Sequence, residues 1–73
     1  MHGARAMSEV LTPRQCQVLL LVADGHCSKQ IARRLGVHRR TIEKHREEVS
    51  ARCGVHEVAG MVRAAIRWGW IVA

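Results

Sequence analysis

Residues 36–49, with the sequence GVHRRTIEKHREEV, carry a dense set of side chains capable of ionic chemistry. They include four Arg or Lys, three Glu and two His residues in fourteen positions. Arginine forms bidentate hydrogen bonds with phosphate or carboxylate, lysine supplies a compact positive charge, and glutamate accepts hydrogen bonds. A short chain does not need so many consecutive charges to stay in solution. The segment therefore predicts a charged surface that faces water, a partner protein or the backbone of a nucleic acid.

The cysteines and histidines do not indicate a metal site, a disulfide framework or an enzyme. Cys16, Cys27 and Cys53 are an odd number of thiols, and their spacing with the histidines lacks the C-x2-C and H-x3-H patterns of zinc sites. No Ser/His/Asp set, pair of catalytic carboxylates or phosphate-binding loop is evident. We therefore expect no catalytic residue, no metal and no cofactor. Cys16 and Cys53 are expected in the core, and Cys27 near a turn.

The charge of the chain favours a polyanionic partner. Twelve Lys or Arg residues against six Asp or Glu residues give a formal charge of +6 and a pI near 10.7. Nucleic acid is the usual partner of such a chain, and an anionic membrane surface is the alternative. No apolar run reaches the ~18 residues that a membrane span needs, and no signal peptide is evident. We expect a cytoplasmic protein that binds no membrane.

The apolar periodicity predicts an all-α fold of four helices. The first helix begins with Thr12 as N-cap, Pro13 at its first position and Gln15 completing a capping box, and it ends at Gly25. Residues 1–10 lack periodicity and are expected to be a flexible lead-in. The predicted domain is therefore 11–73.

The second and third helices are predicted to form a helix-turn-helix. The second begins at Cys27 or Ser28 and ends at Gly36, and the third runs from roughly 39 to 53 with Ile42, Val49 and Cys53 on its inward stripe. The fourth helix lies in HEVAGMVRAAIRWGWIVA and ends at Gly69. Trp68 and Trp70 lie on either side of Gly69. Either one of them is exposed and available to a partner, or both cover the base of the first helix.

The stretch LTPRQCQVLLLVADGHCSKQIARRLGVHRRTIEKH resembles the helix-turn-helix domain of LuxR/GerE-type transcription regulators. The resemblance continues through CGV and WGWIV and covers residues 11–72. It implies a stand-alone GerE-like domain that binds double-stranded DNA and regulates transcription. The chain departs from the family pattern at several positions. Gln15 and Gln17 replace two Glu, His38 replaces the Ser before the third helix, and Glu43 replaces Lys.

The resemblance assigns the third predicted helix, residues 39–53, to the major groove of DNA. The positions that contact bases in the family correspond here to Arg40, Glu43, Lys44 and Glu47. Phosphate contacts are expected from the polar residues around this helix and the start of the second: Ser28, Lys29, Arg34, Arg39, Thr41 and His45. The glutamates have an alternative role as ion-pair partners of Arg39, Lys44 or Arg46 within the same helix. Arg46 is expected beside them on the outward face.

The family dimerises through its fourth helix, which implies a homodimer and an imperfect inverted repeat as target. The residues expected to supply both core and dimer contact are Val58, Met61, Val62 and Ala65. A nucleoid-associated transcription regulator is therefore the leading hypothesis. The alternative is a module that binds a protein, such as RNA polymerase, a sigma factor or another regulator, because Glu43 is unusual in a DNA-contacting helix.

Overall fold

Five α-helices make up the regular structure of the residues that the computed structural model describes, 6–55 and 58–72. Their bounds are α1 Met7–Val10, α2 Pro13–Ala23, α3 Ser28–Leu35, α4 Arg39–Cys53 and α5 Val58–Arg67. The all-α fold is confirmed, and the four predicted helices correspond to α2–α5. The structure adds α1 to them.

The short helix α1 lies within the segment that was expected to be a lead-in. The Ala6 backbone N–H donates to Glu9 Oε1 at 2.9 Å, and Arg52 Nη1 donates to the Val10 carbonyl at 3.4 Å. Met7 and Val10 pack against the core. A single helical turn is too short to show periodicity in sequence, and its contact with Arg52 lies far along the chain. Residues 1–5 lie outside the described part, so the division at residue 10 stays a prediction.

The start of α2 has the predicted capping box. Thr12 Oγ1 accepts from the Gln15 backbone N–H at 3.2 Å, while Gln15 Oε1 accepts from the Thr12 N–H at 3.0 Å. These bonds satisfy two backbone donors that the helix itself leaves without partners. Leu11, just before the cap, is buried at 3% exposure. The first core helix therefore has a defined start.

The turn between α3 and α4 is built on a left-handed glycine. Gly36 follows the last residue of α3 with φ at 69° and ψ at 34°, and the Val37 N–H donates to the Ala32 carbonyl at 3.0 Å. Val37 packs against the core as a partly buried side chain. The turn thus closes the helix-turn-helix and sets where α4 begins.

The centre of the core lies where α4 packs between α2 and α3. Leu19, Ile31, Ile42 and Val49 are completely buried, and α5 covers α2 and α4. Burying one aliphatic side chain of this size contributes about 1.5–3 kcal/mol. The buried Ile42 and Val49 therefore determine which face of α4 remains exposed.

The cysteines and tryptophans complete the packing. Cys53 is buried, as predicted, whereas Cys16 is only partly buried at the edge. Trp68 and Trp70 are both partly buried against the core, with ring centroids 4.9 Å apart and an interplanar angle of 55°. The structure therefore favours the interpretation in which both rings cover the domain rather than one being fully exposed.

Replacing Gly36 tests the importance of the left-handed turn. A Cβ at this position would meet no atom within 4 Å, so Gly36→Ala should destabilise the domain through backbone strain alone, by about 1–2 kcal/mol. Gly36→Asn should cost less, because Asn tolerates this conformation better. The free energy of unfolding, measured by urea denaturation with circular dichroism, should rank glycine above asparagine above alanine. Equal stability of glycine and alanine would contradict the required turn.

Candidate nucleic-acid interface

The exposed face of α4 lies opposite its buried stripe. Because Ile42 and Val49 are buried, the residues on the other side of the helix point to solvent. All four predicted base-contacting residues are exposed there: Arg40, Glu43, Lys44 and Glu47. The fold therefore brings them together on one helical face, as a base-contacting set requires.

The first half of this face borders an open depression. His38, Arg40, Thr41 and Lys44 line it. His38 occupies the N-cap of α4 and forms no side-chain capping bond. The start of a helix carries a partial positive charge and attracts anions, and here two full cations flank it. The sequence identified His38 only as the residue that replaces a Ser before this helix, and did not indicate that it shares the depression.

Glu43 is paired with a neighbouring arginine. Arg39 Nε donates to Glu43 Oε2 at 3.2 Å, and the two side chains are 64% and 49% exposed. This is one of the pairings that the sequence left open as an alternative to base contact. Exposed pairs spaced by four residues contribute only about 0.3–0.5 kcal/mol. Arg39 can therefore exchange Glu43 for a phosphate at little cost.

The predicted phosphate-contacting residues differ in their surroundings. Lys29, Arg34 and Thr41 are exposed, and the two cations have no carboxylate partner among the described residues. Ser28 and His45 are instead partly buried and bonded to side chains of α4. The exposed residues are therefore available to an anion, whereas Ser28 and His45 are held in place by their hydrogen bonds.

Arg46 joins α4 to the start of α3. Its Nη1 donates to Ser28 Oγ at 3.3 Å, and its side chain is partly buried rather than on the outward face where it was expected. The expectation was wrong because Arg46 lies four residues after Ile42 and three before Val49. That spacing places it beside the inward stripe, next to α3.

The opposite flank of α4 is bonded to the start of α2. Gln15 is buried at 5% exposure, and its Nε2 donates to Glu48 Oε1 at 3.2 Å. His45 Nδ1 lies 3.3 Å from the same oxygen. The hydrogen bond from Gln15, followed by that from His45, lowers the pKa of the Glu48 carboxyl. Sequence reasoning missed Glu48, although its spacing of three from His45 was a usable signal.

Comparison with known protein families identifies the chain. Residues 9–65 match the family described as bacterial regulatory proteins, luxR family. The chain belongs to the LuxR family. The resemblance drawn from the helix-turn-helix residues is thereby confirmed, and the geometry of α3 and α4 can be interpreted within this family.

Curated relatives of this LuxR-family chain include three bacterial regulators. The transcriptional regulatory protein MctR of Rhizobium johnstonii is 37% identical over 85% of the chain and 29% of its own length. The uncharacterized response regulatory protein YgeK of Escherichia coli is 37% identical over 81% of the chain and 40% of its own length. The C4-dicarboxylate transport transcriptional regulatory protein DctR of Rhodobacter capsulatus is 42% identical over 67% of the chain.

The chain covers well under half of these relatives. Its share of DctR is 25%, so the activities of the whole relatives do not transfer with the alignment. No solved structure matches the LuxR-family chain at a significant level.

The predicted dimer residues of α5 divide into two groups. Met61 and Ala65 are 2% and 0% exposed and belong to the core of this chain. Val62 is partly buried, and Ile66, which was not among the predicted residues, is 37% exposed. The side chain of Val58 lies outside the described residues. A second copy would therefore reach Val62 and Ile66, not the two core residues, because the latter pack inward.

Two general features of the described residues bear on the kind of site. No three His, Cys, Asp or Glu side chains in this part converge on a common point that could hold a metal ion. None of its helices has the length and apolar character required to cross a bilayer.

Cys27 differs from the other two thiols. It is exposed at the N-cap of α3, and its pKa is lowered, mainly by the backbone N–H of Gln30, with smaller contributions from the Lys29 N–H and the charge of Arg39. Burial raises the pKa of both Cys16 and Cys53. Because the thiolate is the nucleophile, Cys27 should be the most reactive cysteine.

Alkylation with iodoacetamide, followed by peptide mass spectrometry, tests this order. Cys27 should be modified before Cys16 and Cys53, and its rate should rise at lower pH in the folded protein than in protein unfolded by urea. The pH comparison separates the lowered pKa from simple exposure. A Cys27→Ser variant provides the control for label at the other sites. An unchanged pH midpoint on unfolding would contradict stabilisation of the thiolate by the start of α3.

Proposed function

We propose that this LuxR-family chain is a sequence-specific double-stranded DNA-binding module of a transcription regulator, with α4 in the major groove. The observation that carries the proposal is the exposed pair Arg40 and Lys44. Neither has a carboxylate partner among the described residues, and both lie opposite the buried stripe of α4. The major groove of B-DNA admits one α-helix, whose N-terminal residues contact base edges.

The proposed base contacts follow from the donors and acceptors on α4. Arg40 or Lys44 donates to O6 and N7 of guanine, while Glu43 and Glu47 accept from N4 of cytosine. Each good contact of this kind contributes about 1–3 kcal/mol of discrimination between bases. For Glu43, leaving Arg39 is a small cost because their pair is exposed.

Phosphate contacts surround this central set. Lys29 and Arg34 on α3 and Arg39 on α4 supply the charge, and Thr41 supplies a hydroxyl at the start of α4. Ser28 and His45 act from fixed positions, since each is bonded to an α4 side chain. Such contacts position a protein on DNA without distinguishing sequences. A protein with this role would act on the nucleoid, in the cytoplasm.

A homodimer formed through α5 would join two such modules. Val62 and Ile66 lie on the solvent side of α5, and a two-fold contact between copies would present two α4 helices to two half-sites. Ile66→Glu should place repelling charges in that contact. Analytical ultracentrifugation should then show a monomer where the parent chain sediments as a dimer. Identical sedimentation of the two proteins would exclude α5 as the interface.

Selection from randomised double-stranded DNA at two salt concentrations tests the proposed function. An inverted repeat should be enriched, and its affinity should fall steeply with salt; neutralising about six phosphates gives a slope of log K against log salt near −5. Lys29→Ala should weaken binding about equally on all sequences and reduce the slope by about one. Absence of any enrichment by folded protein would overturn the proposal. It would instead favour a protein partner, such as RNA polymerase or a sigma factor, for the charged face of α4.

Replacing Glu43 tests its contact with bases. Glu43→Lys should shift preference away from cytosine at one position of each half-site, because a carboxylate acceptor becomes an ammonium donor. Glu43→Gln is the matched control, since it removes the ion pair with Arg39 without adding a positive charge. Selection and sequencing of bound DNA should give different motifs for the lysine variant and the parent chain. The same motif from both would assign Glu43 to ion pairing alone.

A further inference from the structure

Two side chains, one on α2 and one on α4, form hydrogen bonds with the same carboxylate oxygen of α4. Glu48 Oε1 lies 3.2 Å from Gln15 Nε2 and 3.3 Å from His45 Nδ1. Gln15 is buried, whereas Glu48 and His45 have side chains that are 41% and 23% exposed. These hydrogen bonds therefore connect the interior of the domain to the edge of the proposed DNA-binding surface.

The orientation of the Gln15 amide is determined by its two partners. Its Oε1 already accepts from the Thr12 backbone N–H in the capping box. The amide nitrogen must consequently face Glu48, where it donates to the carboxylate. A carboxylate at position 15 could complete the same capping box but would repel Glu48. A neutral amide at position 15 can therefore form the capping box and also donate a hydrogen bond to Glu48 on α4.

The same carboxylate determines how the His45 ring is oriented. An ionised carboxylate only accepts hydrogen bonds, so Nδ1 must carry a proton where it faces Glu48. The other ring nitrogen, Nε2, then lies on the far edge of the imidazole. In a ring that carries a proton on both nitrogens, Nε2 also donates a hydrogen bond to an acceptor oxygen. A histidine held in this way suits an anionic oxygen.

We propose that Glu48 is a positioning residue for DNA binding, which holds His45 against a phosphate while anchoring α4 to the start of α2. The inference rests on the proposed function and adds a residue that makes no DNA contact of its own. It also explains an acidic group beside a surface expected to meet phosphates. Glu48 orients His45, and the group that His45 contacts is a backbone phosphate of double-stranded DNA.

The sign of the effect separates positioning from simple charge. An acid that merely lies near DNA repels phosphates, so removing it should strengthen binding. If the acid instead orients a histidine that contacts a phosphate, removing the acid should weaken binding. Glu48→Ala is therefore expected to reduce affinity by about fivefold to tenfold, the scale of one ordinary hydrogen bond.

A double-mutant cycle with His45 tests whether Glu48 acts through the histidine. The proteins are the parent chain, Glu48→Ala, His45→Ala and the double variant, measured by fluorescence anisotropy on the DNA sequence that selection provides. His45→Ala should weaken binding by a similar factor, and Glu48→Ala should have little further effect in its background. Glu48→Gln keeps the acceptor oxygen and should recover most of the affinity lost in Glu48→Ala.

Two controls separate folding and general charge from positioning. Asp24→Asn removes an acid that is 76% exposed in the loop after α2 and should not weaken binding. Circular dichroism and urea denaturation of each variant identify any loss of folded protein, and affinities are compared only at urea-free conditions where each is folded. Because Gln15 loses its acceptor in Glu48→Ala, this variant should also be less stable than Glu48→Gln.

The outcomes distinguish this inference from the proposed function. Weaker binding by Glu48→Ala that disappears in the His45→Ala background supports the positioning role. Stronger binding by Glu48→Ala, or an equal loss in both backgrounds, overturns it while leaving DNA binding intact. Failure of the folded parent chain to bind any selected DNA would refute the proposed function itself.

Discussion

The structure depends on a single constraint: α4 must supply the centre of the core and the exposed charged face at the same time. Ile42 and Val49 are completely buried between α2 and α3. A folded unit as small as this one buries a limited fraction of its surface, so its longest helix has to contribute to the core. The rotation of α4 about its own axis is therefore determined by apolar packing. Its charged face has a defined direction as a consequence.

Polar contacts on both flanks refine that orientation. On one side Arg46 bonds to Ser28 at the start of α3, and on the other Glu48 bonds to Gln15 at the start of α2. Hydrogen bonds of this kind contribute modestly to stability but are directional. They restrict the small rotations and shifts that aliphatic side chains tolerate. The proposed contact surface is accordingly held in place before any partner arrives, which lowers the entropic cost of binding.

The charges of the proposed surface have separable roles. Lys29, Arg34, Arg40 and Lys44 lack carboxylate partners among the described residues, and they suit attraction of a polyanion. Glu43 and Glu47 oppose that attraction and suit selection between sequences. The exposed pair of Arg39 and Glu43 links the two proposed roles, because Arg39 bonds to Glu43 through Nε alone and keeps its terminal nitrogens for a phosphate. In the proposed complex, affinity and specificity would thus meet on neighbouring turns of one helix.

The sequence by itself determined helices α2–α5, most of their ends and the family of this chain. Thr12, Pro13, Gly36 and Gly54 act within a few residues of themselves, so their effects on helix ends are visible without the fold. The stripe of Ile42, Val49 and Cys53 likewise predicted which face of α4 would be buried. The exposed positions of the four proposed base-contacting residues followed from that stripe.

Only the tertiary structure decided which side chains meet across helices. Glu48 and Gln15 are 33 residues apart, Arg46 and Ser28 are 18 apart, and Arg52 and Val10 are 42 apart. The tertiary structure also assigned Met61 and Ala65 to the core. Helical spacing alone fits both a core position and a dimer contact for these two residues. Local sequence pattern specifies faces and ends of helices. The packing angles and distances between helices arise from the whole core, and these decide which polar groups come within hydrogen-bonding distance.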